Sequence, residues 1–159
     1  MKKNQIFLIF ILAFVLALVS FSFVPFSGGD NFAYILLSRA LFKCGKYIEL
    51  WSPINPWHTQ YPPILPILLF PSTLLHSYPI GKFIILSLFM LSLFFSYRLF
   101  QTLYDNSIPK IALIILAVSP AILLFSHWIL SEIPYILFSI LTIYLWVKKK
   151  YTASLLFAI

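Results

Sequence analysis

Four acidic residues occur in this chain, and two stand where a carboxylate is costly. Asp30 lies in Ser27-Gly28-Gly29-Asp30-Asn31, just past the apolar run Ile6–Val24. Glu132 lies in Leu130-Ser131-Glu132-Ile133-Pro134, at the head of the apolar run Ile133–Val147. A charge at the centre of a hydrocarbon-embedded helix costs about 3 kcal/mol by insertion scales, so acids bordering such helices are candidates for function. A carboxylate there can take the proton of a hydroxyl nucleophile or hold a cation against a phosphate. Each acid also has a simpler reading as a helix cap, Asp30 for the stretch that follows it and Glu132 for Ile133–Val147. Glu49 and Asp105 read as ordinary solvated charges.

His58 and His127 fall in the same regions of the chain as the two acids. A ring of Asp30, Glu132 and a histidine could hold a divalent cation; the simpler reading is a pair of polar histidines at headgroup level. Tyr34 shares an i, i+4 stripe with Asp30 and Ser38. Arg39 reads as a solvated or lipid-facing cation that could bind a lipid phosphate. Tyr34, Arg39, His58, Tyr61 and His127 are therefore the candidate substrate-binding side chains.

The elements that must position these groups are membrane helices. The chain is 62% hydrophobic and 9% charged, with a mean hydropathy of +0.99, too apolar for a soluble domain of 159 residues. Its formal net charge of +7 does not form a basic face, and no Gly-rich phosphate loop is present, so nucleic acid is not an expected partner. The single cysteine, Cys44, excludes an intramolecular disulfide, and no CxxC or HExxH occurs. Lys2 and Lys3 before the first apolar run read as the flank of an uncleaved helix rather than of a signal peptide.

Spanning a bilayer takes about 20 apolar residues. The expected fold is all-α: a polytopic helical bundle of about four transmembrane helices at 6–24, 80–99, 110–126 and 132–147. Residues 25–79 form a long segment with interfacial helices, and 151–159 reads as the start of a fifth span. Ile64–Ser77, broken by Pro66 and Pro71, is too short to cross. If it does not cross and the N-terminus is cytoplasmic, seven of the eleven basic residues (Lys2, Lys3, Arg98, Lys110 and Lys148 to Lys150) lie inside. Asp30 and Glu132 then share the outer face, and the expected location is a prokaryotic plasma membrane. The segment 25–79, about 55 residues long, is too long for a plain linker. Within it Asn31–Phe42 has helical periodicity: Phe32, Leu36 and Ala40 align, as do Ala33, Leu37 and Leu41, which predicts a helix lying with its apolar face in lipid. Gly45 is its expected stop. Trp51, Pro53, Pro56, Trp57, His58, Tyr61, Pro62 and Pro63 predict a stiff loop at headgroup level.

Several motifs together resemble a family: Gly29-Asp30-Asn31-Phe32-Ala33-Tyr34 after one apolar helix, then Gly45-Lys46-Tyr47, Tyr61-Pro62-Pro63-Ile64-Leu65-Pro66, Ser119-Pro120 and Leu130-Ser131-Glu132-Ile133-Pro134. The pattern resembles the N-terminal part of GT-C glycosyltransferases, on the side of the protein O-mannosyltransferases and lipid A aminoarabinose transferases. The resemblance covers most of this chain but about the first third of a family member. It implies an inverting membrane glycosyltransferase whose donor is a polyprenyl-phosphate-linked sugar. It implies Asp30 as general base, and Glu132 as the group that positions the donor phosphate, directly or through a divalent cation. Two positions depart from the family pattern: Asn31 stands where a second acid is common, and Glu132 where relatives often have Asp. On this reading the chain is the truncated N-terminal part of a larger module and inactive in isolation. The alternative is a non-catalytic or transporter-like membrane protein.

Overall fold

The computed structural model describes residues 3–25, 29–104 and 107–158. Among these residues every regular element is a helix, with no strands; Lys2, Ser27, Gly28 and Asp105 lie outside them. The helices are α1 (Lys3–Val19), α2 (Gly29–Cys44), α3 (Ile64–Leu68), α4 (Phe70–Leu74), α5 (Tyr78–Leu103), α6 (Ile108–Val118), α7 (Pro120–Phe125), α8 (Glu132–Val147) and α9 (Tyr151–Leu155).

Among the described residues only α5, with 26 residues, is long and apolar enough to cross a membrane. At 1.5 Å per residue it runs about 39 Å, against a hydrocarbon core of about 30 Å. It is also the hub of the bundle, packing on α8, α6, α4 and α1. Ile85, Phe89, Ser92, Ser96 and the neighbouring Leu86, Leu93 and Tyr97 are buried, a 3–4 residue spacing that makes one broad inward face. Ser92 Oγ donates to Phe89 O at 2.7 Å, so its buried hydroxyl is satisfied on its own helix. Gly81 permits the closest approach: a Cβ there would stand 2.8 Å from Ile129 Cδ1 and 3.2 Å from Ser72 Oγ.

Two expected spans are shorter than the sequence suggests. The first ends at Val19 rather than residue 24, and Ser20–Pro25 leaves the helix. Lys82 explains how this segment is held. Its side chain is buried, and its ammonium donates to Val24 O at 2.8 Å and also to Ser22 O. The same ammonium lies over the rings of Tyr78 and Phe21, at 5.3 and 5.8 Å. The expected helix 110–126 is two helices, α6 and α7, broken at Ser119, whose extended backbone (φ −63°, ψ 118°) precedes Pro120. Proline supplies no N–H and disfavours helical backbone in the residue before it, which is enough to interrupt the ladder here.

Ile64–Ser77 folds as two five-residue helices, α3 and α4, each far below spanning length. α8 ends as its lysines reverse the chain. Lys149 is left-handed (φ 57°), Lys149 N donates to Trp146 O at 2.8 Å, and Lys150 N to Leu145 O at 2.9 Å. α9 then lies back on α8, with Ser154 Oγ donating to Thr142 O at 2.9 Å.

α2 forms as expected and stops at Gly45 (φ 64°), but its faces are not disposed as the sequence suggests. The stripe Asn31, Tyr34 and Ser38 is buried, while Phe32 and Phe42 are exposed. The polar stripe faces protein because α3 and α4 pack there; Ser38 Oγ and Thr73 Oγ1 share a buried hydrogen bond of 2.7 Å. Between α2 and α3, residues 47–58 double back on themselves. Ile48 bridges Trp57, His58 N donates to Tyr47 O at 2.9 Å, and Glu49 N to Pro56 O at 3.0 Å. The tip carries exposed Trp51 and Ile54, with Trp57 exposed beside it.

Candidate functional site

The site begins with Tyr61, at the head of Tyr61-Pro62-Pro63. Every polar group of this residue is engaged. Its hydroxyl donates to Asp30 Oδ1 at 2.7 Å. Its backbone N–H donates to His58 Nε2 at 2.9 Å, and its carbonyl accepts from Tyr47 Oη at 3.0 Å. Its ring lies between His58 (5.1 Å, stacked) and Tyr34 (4.9 Å, tilted). Prolines at the next two positions remove two backbone donors and fix φ, so the chain leaves Tyr61 in a restricted direction.

His58 is the pillar behind it. The ring is buried, with Nδ1 3.0 Å from Glu49 Oε1. Because Nε2 accepts from an N–H, Nδ1 carries the proton and donates to Glu49. Glu49 is therefore a paired carboxylate that fixes an imidazole tautomer, not the solvated charge expected from sequence.

Asp30 and Glu132 both fall in the first turn of a helix, Asp30 in α2 and Glu132 in α8. Neither caps a helix in the expected sense. α2 already begins at Gly29, and the residue ahead of α8 is Ser131, which makes no side-chain capping bond. Both carboxylates are exposed. Each still gains from the positive end of its helix dipole.

Two residues join the carboxylates into one end of the bundle. Asn31 Oδ1 accepts from Ile129 N at 2.9 Å in the buried interior, tying the first turn of α2 to the turn that leads into Ser131 and Glu132. Tyr34 is buried nearby, its ring 4.9 Å from that of Tyr61, the residue bonded to Asp30. Burial lifts its phenol above the ordinary value, and Asp30 and Glu132 each push it the same way, against a side-chain hydrogen bond with Ser131. For Tyr61 the hydrogen bond to Asp30 is the main cause of a phenol pushed up to about 12, with burial, the Asp30 charge and Tyr34 adding to it.

Beside Glu132 runs a groove of about 500 Å³. Its walls are Pro62, Ile64 and Leu65 on one side, and Pro134, Tyr135, Phe138, Thr142 and Ile143 of α8 on the other, with Phe157 at the far end. From position 132 to 143 the α8 wall extends about 16 Å. It is an apolar channel with one carboxylate at its mouth, and Asp30 does not line it.

The remaining sequence-predicted residues lie apart from this pair. His127 is buried, 5.8 Å from the Phe21 ring, and burial holds it below the ordinary histidine range, helped by the Lys82 charge and opposed by a backbone hydrogen bond with Leu123. Arg39 lines a different pocket, together with His76. Both nitrogens of His58 are engaged, and among the described residues no three His, Cys, Asp or Glu side chains group as a metal site. Tyr47, Glu49 and Asn31 were not candidates from sequence, since nothing local marks residues that act across 14, 9 and 98 positions.

No protein-family model matches the chain, and no curated protein or solved structure is detectably similar to it. The resemblance to GT-C glycosyltransferases therefore rests on the short motifs alone.

Proposed function

We propose that this chain carries the catalytic acids of a membrane glycosyltransferase that moves a sugar from a polyprenyl-phosphate carrier to an acceptor hydroxyl. The observation that carries this reading is the buried bond from Ile129 N to Asn31 Oδ1 at 2.9 Å, which ties the first turn of α2, with Asp30, to the turn that leads into Glu132. In this reading α1, α5, α6–α7 and α8 cross the bilayer. The exposed apolar side chains of α1 and α6, such as Phe7, Leu8, Ile111 and Ile115, support that placement. The Asp30–Glu132 end faces the extracytoplasmic side.

Asp30 is the general base. Tyr61 holds Oδ1, and among the described residues Oδ2 has no partner and is open to a proton. The acceptor O–H gives its proton to Asp30 while its oxygen bonds to the anomeric carbon. The bond from that carbon to the phosphate oxygen breaks, and the lipid phosphate leaves with the electron pair. Attack opposite the leaving group inverts the anomeric centre. The groove along α8 suits the polyprenyl chain, with Glu132 near the donor's polar end. In a transporter-like protein, functional acids lie near the bilayer midplane between repeats; first-turn acids at one end of a bundle support the transferase better.

The test is transfer of labelled sugar from a polyprenyl-phosphate donor in membranes holding the full-length protein. Asp30→Asn lowers transfer by about 10²- to 10⁴-fold while membrane insertion is unchanged. Tyr61→Phe keeps the ring stack, loses only the bond to Asp30, and lowers the rate less. Full turnover by Asp30→Asn would reduce Asp30 to a helix-dipole contact.

A further inference from the structure

Arg39 has the anatomy of a binding group. It sits on α2 with its guanidinium Nε buried and without a hydrogen-bond partner among the described residues. No ion pair involves it there either, the only one being His58 with Glu49. An unpaired N–H on a partly buried cation is costly, and a planar guanidinium is shaped to take two oxygens of an oxyanion.

Arg39 opens onto a pocket of about 170 Å³ between α2, α4 and α5, in which no acidic residue takes part. His76 also lines it, on a turn with unusual backbone (φ 51°). Ser77 N donates to Ser72 O at 3.0 Å, and Ser72 Oγ donates to Ser77 O at 2.7 Å, so the turn is held closed from within. The His76 ring is exposed and makes no hydrogen bond among the described residues. Leu74 and Leu75, just before it, are more than 60% exposed, and Phe32 on the α2 side is 44% exposed. A cationic pocket with an apolar rim has the chemistry of a phospholipid contact: phosphate inside, acyl chains outside.

We propose that Arg39, with the His76 turn, forms a second binding site for a phosphate oxyanion, carried by a lipid headgroup or free in solution. It shares no lining residue with the groove beside Glu132 and stands whether or not the chain transfers sugar.

The chain has two arginines, Arg39 and Arg98, which gives the test an internal control. The full chain is held in maltoside micelles, which carry no phosphate, and treated with phenylglyoxal, and each arginine's modification is followed by peptide mass spectrometry. Short-chain phosphatidylglycerol slows modification of Arg39 about tenfold and leaves Arg98 unaffected, as expected for a charge-assisted bidentate contact. A matched diacylglycerol without phosphate protects neither. If inorganic phosphate at equal concentration protects Arg39 as well as the lipid does, the site takes the free anion; if only the lipid protects, it takes the headgroup. Failure of both to protect Arg39 overturns the site. In parallel, Arg39→Gln loses binding of the same lipid and Arg39→Lys keeps part of it. Equal binding by Arg39→Gln and the native chain would also overturn it.

Discussion

Asp30 and Glu132 occupy the same place in their helices, yet their surroundings differ in kind. Asp30 is gripped: a tyrosine donates to it, and that tyrosine is fixed by a second tyrosine, a histidine and, behind the histidine, a third carboxylate. Glu132 accepts no hydrogen bond from a described side chain and borders an apolar groove. A group that must receive a proton at one point in space benefits from rigid placement, because misorientation is lost rate. A group that helps hold one end of a long flexible lipid has no such need. On the proposed transferase reading, the two acids would do different work on the same reaction.

The comparison can be broken most directly at Asp30. Asp30→Asn in the full-length protein is expected to cut sugar transfer by about 10²- to 10⁴-fold, the usual worth of a general base. Glu132→Gln is expected to cost about tenfold, close to 1.4 kcal/mol, and mainly in the apparent affinity for the donor. Equal losses in the same kinetic parameter would erase the distinction between them. Asn31→Leu attacks the joint between the two regions. It strips the Ile129 N–H of its acceptor but also removes the unpartnered Asn31 Nδ2, so thermal unfolding in micelles should register a net loss of about 1–2 kcal/mol. No loss would mean that the joint is dispensable.

The smallest effect sharpens the Asp30 side. The Tyr61 phenol is raised in the folded protein, so its contribution is fully present below its ordinary value of 10 and is lost as pH rises from there through about 12. Asp30→Asn should bring the Tyr61 titration, read by ultraviolet absorbance against a Tyr61→Phe control, back toward 10. An unmoved titration would show that the bond does not hold Tyr61 in solution.

The helical class and the places of α1, α2, α5 and α8 were legible because long apolar runs and a 3–4 residue period are local signals. The break between α6 and α7 was legible too, since Ser119-Pro120 is a local breaker, but hydropathy alone ran a helix through it. The faces of α2 were misjudged because burial there depends on α3 and α4, which no periodicity within α2 reveals. At the site, both acids stood out by their rarity and position. The network that grips one of them did not, because Tyr61 reaches Asp30 across 31 positions through a loop whose shape is set by its own cross-links.

Lys82 has a consequence for how the protein is made. The carbonyls it holds, at Ser22 and Val24, precede it by 60 and 58 positions. A ribosome therefore releases the first helix well before the residue that anchors its exit exists. The segment Ser22–Val24 must wait, unfastened, until the head of α5 emerges, so its final seat is taken only after some 60 further residues have been made.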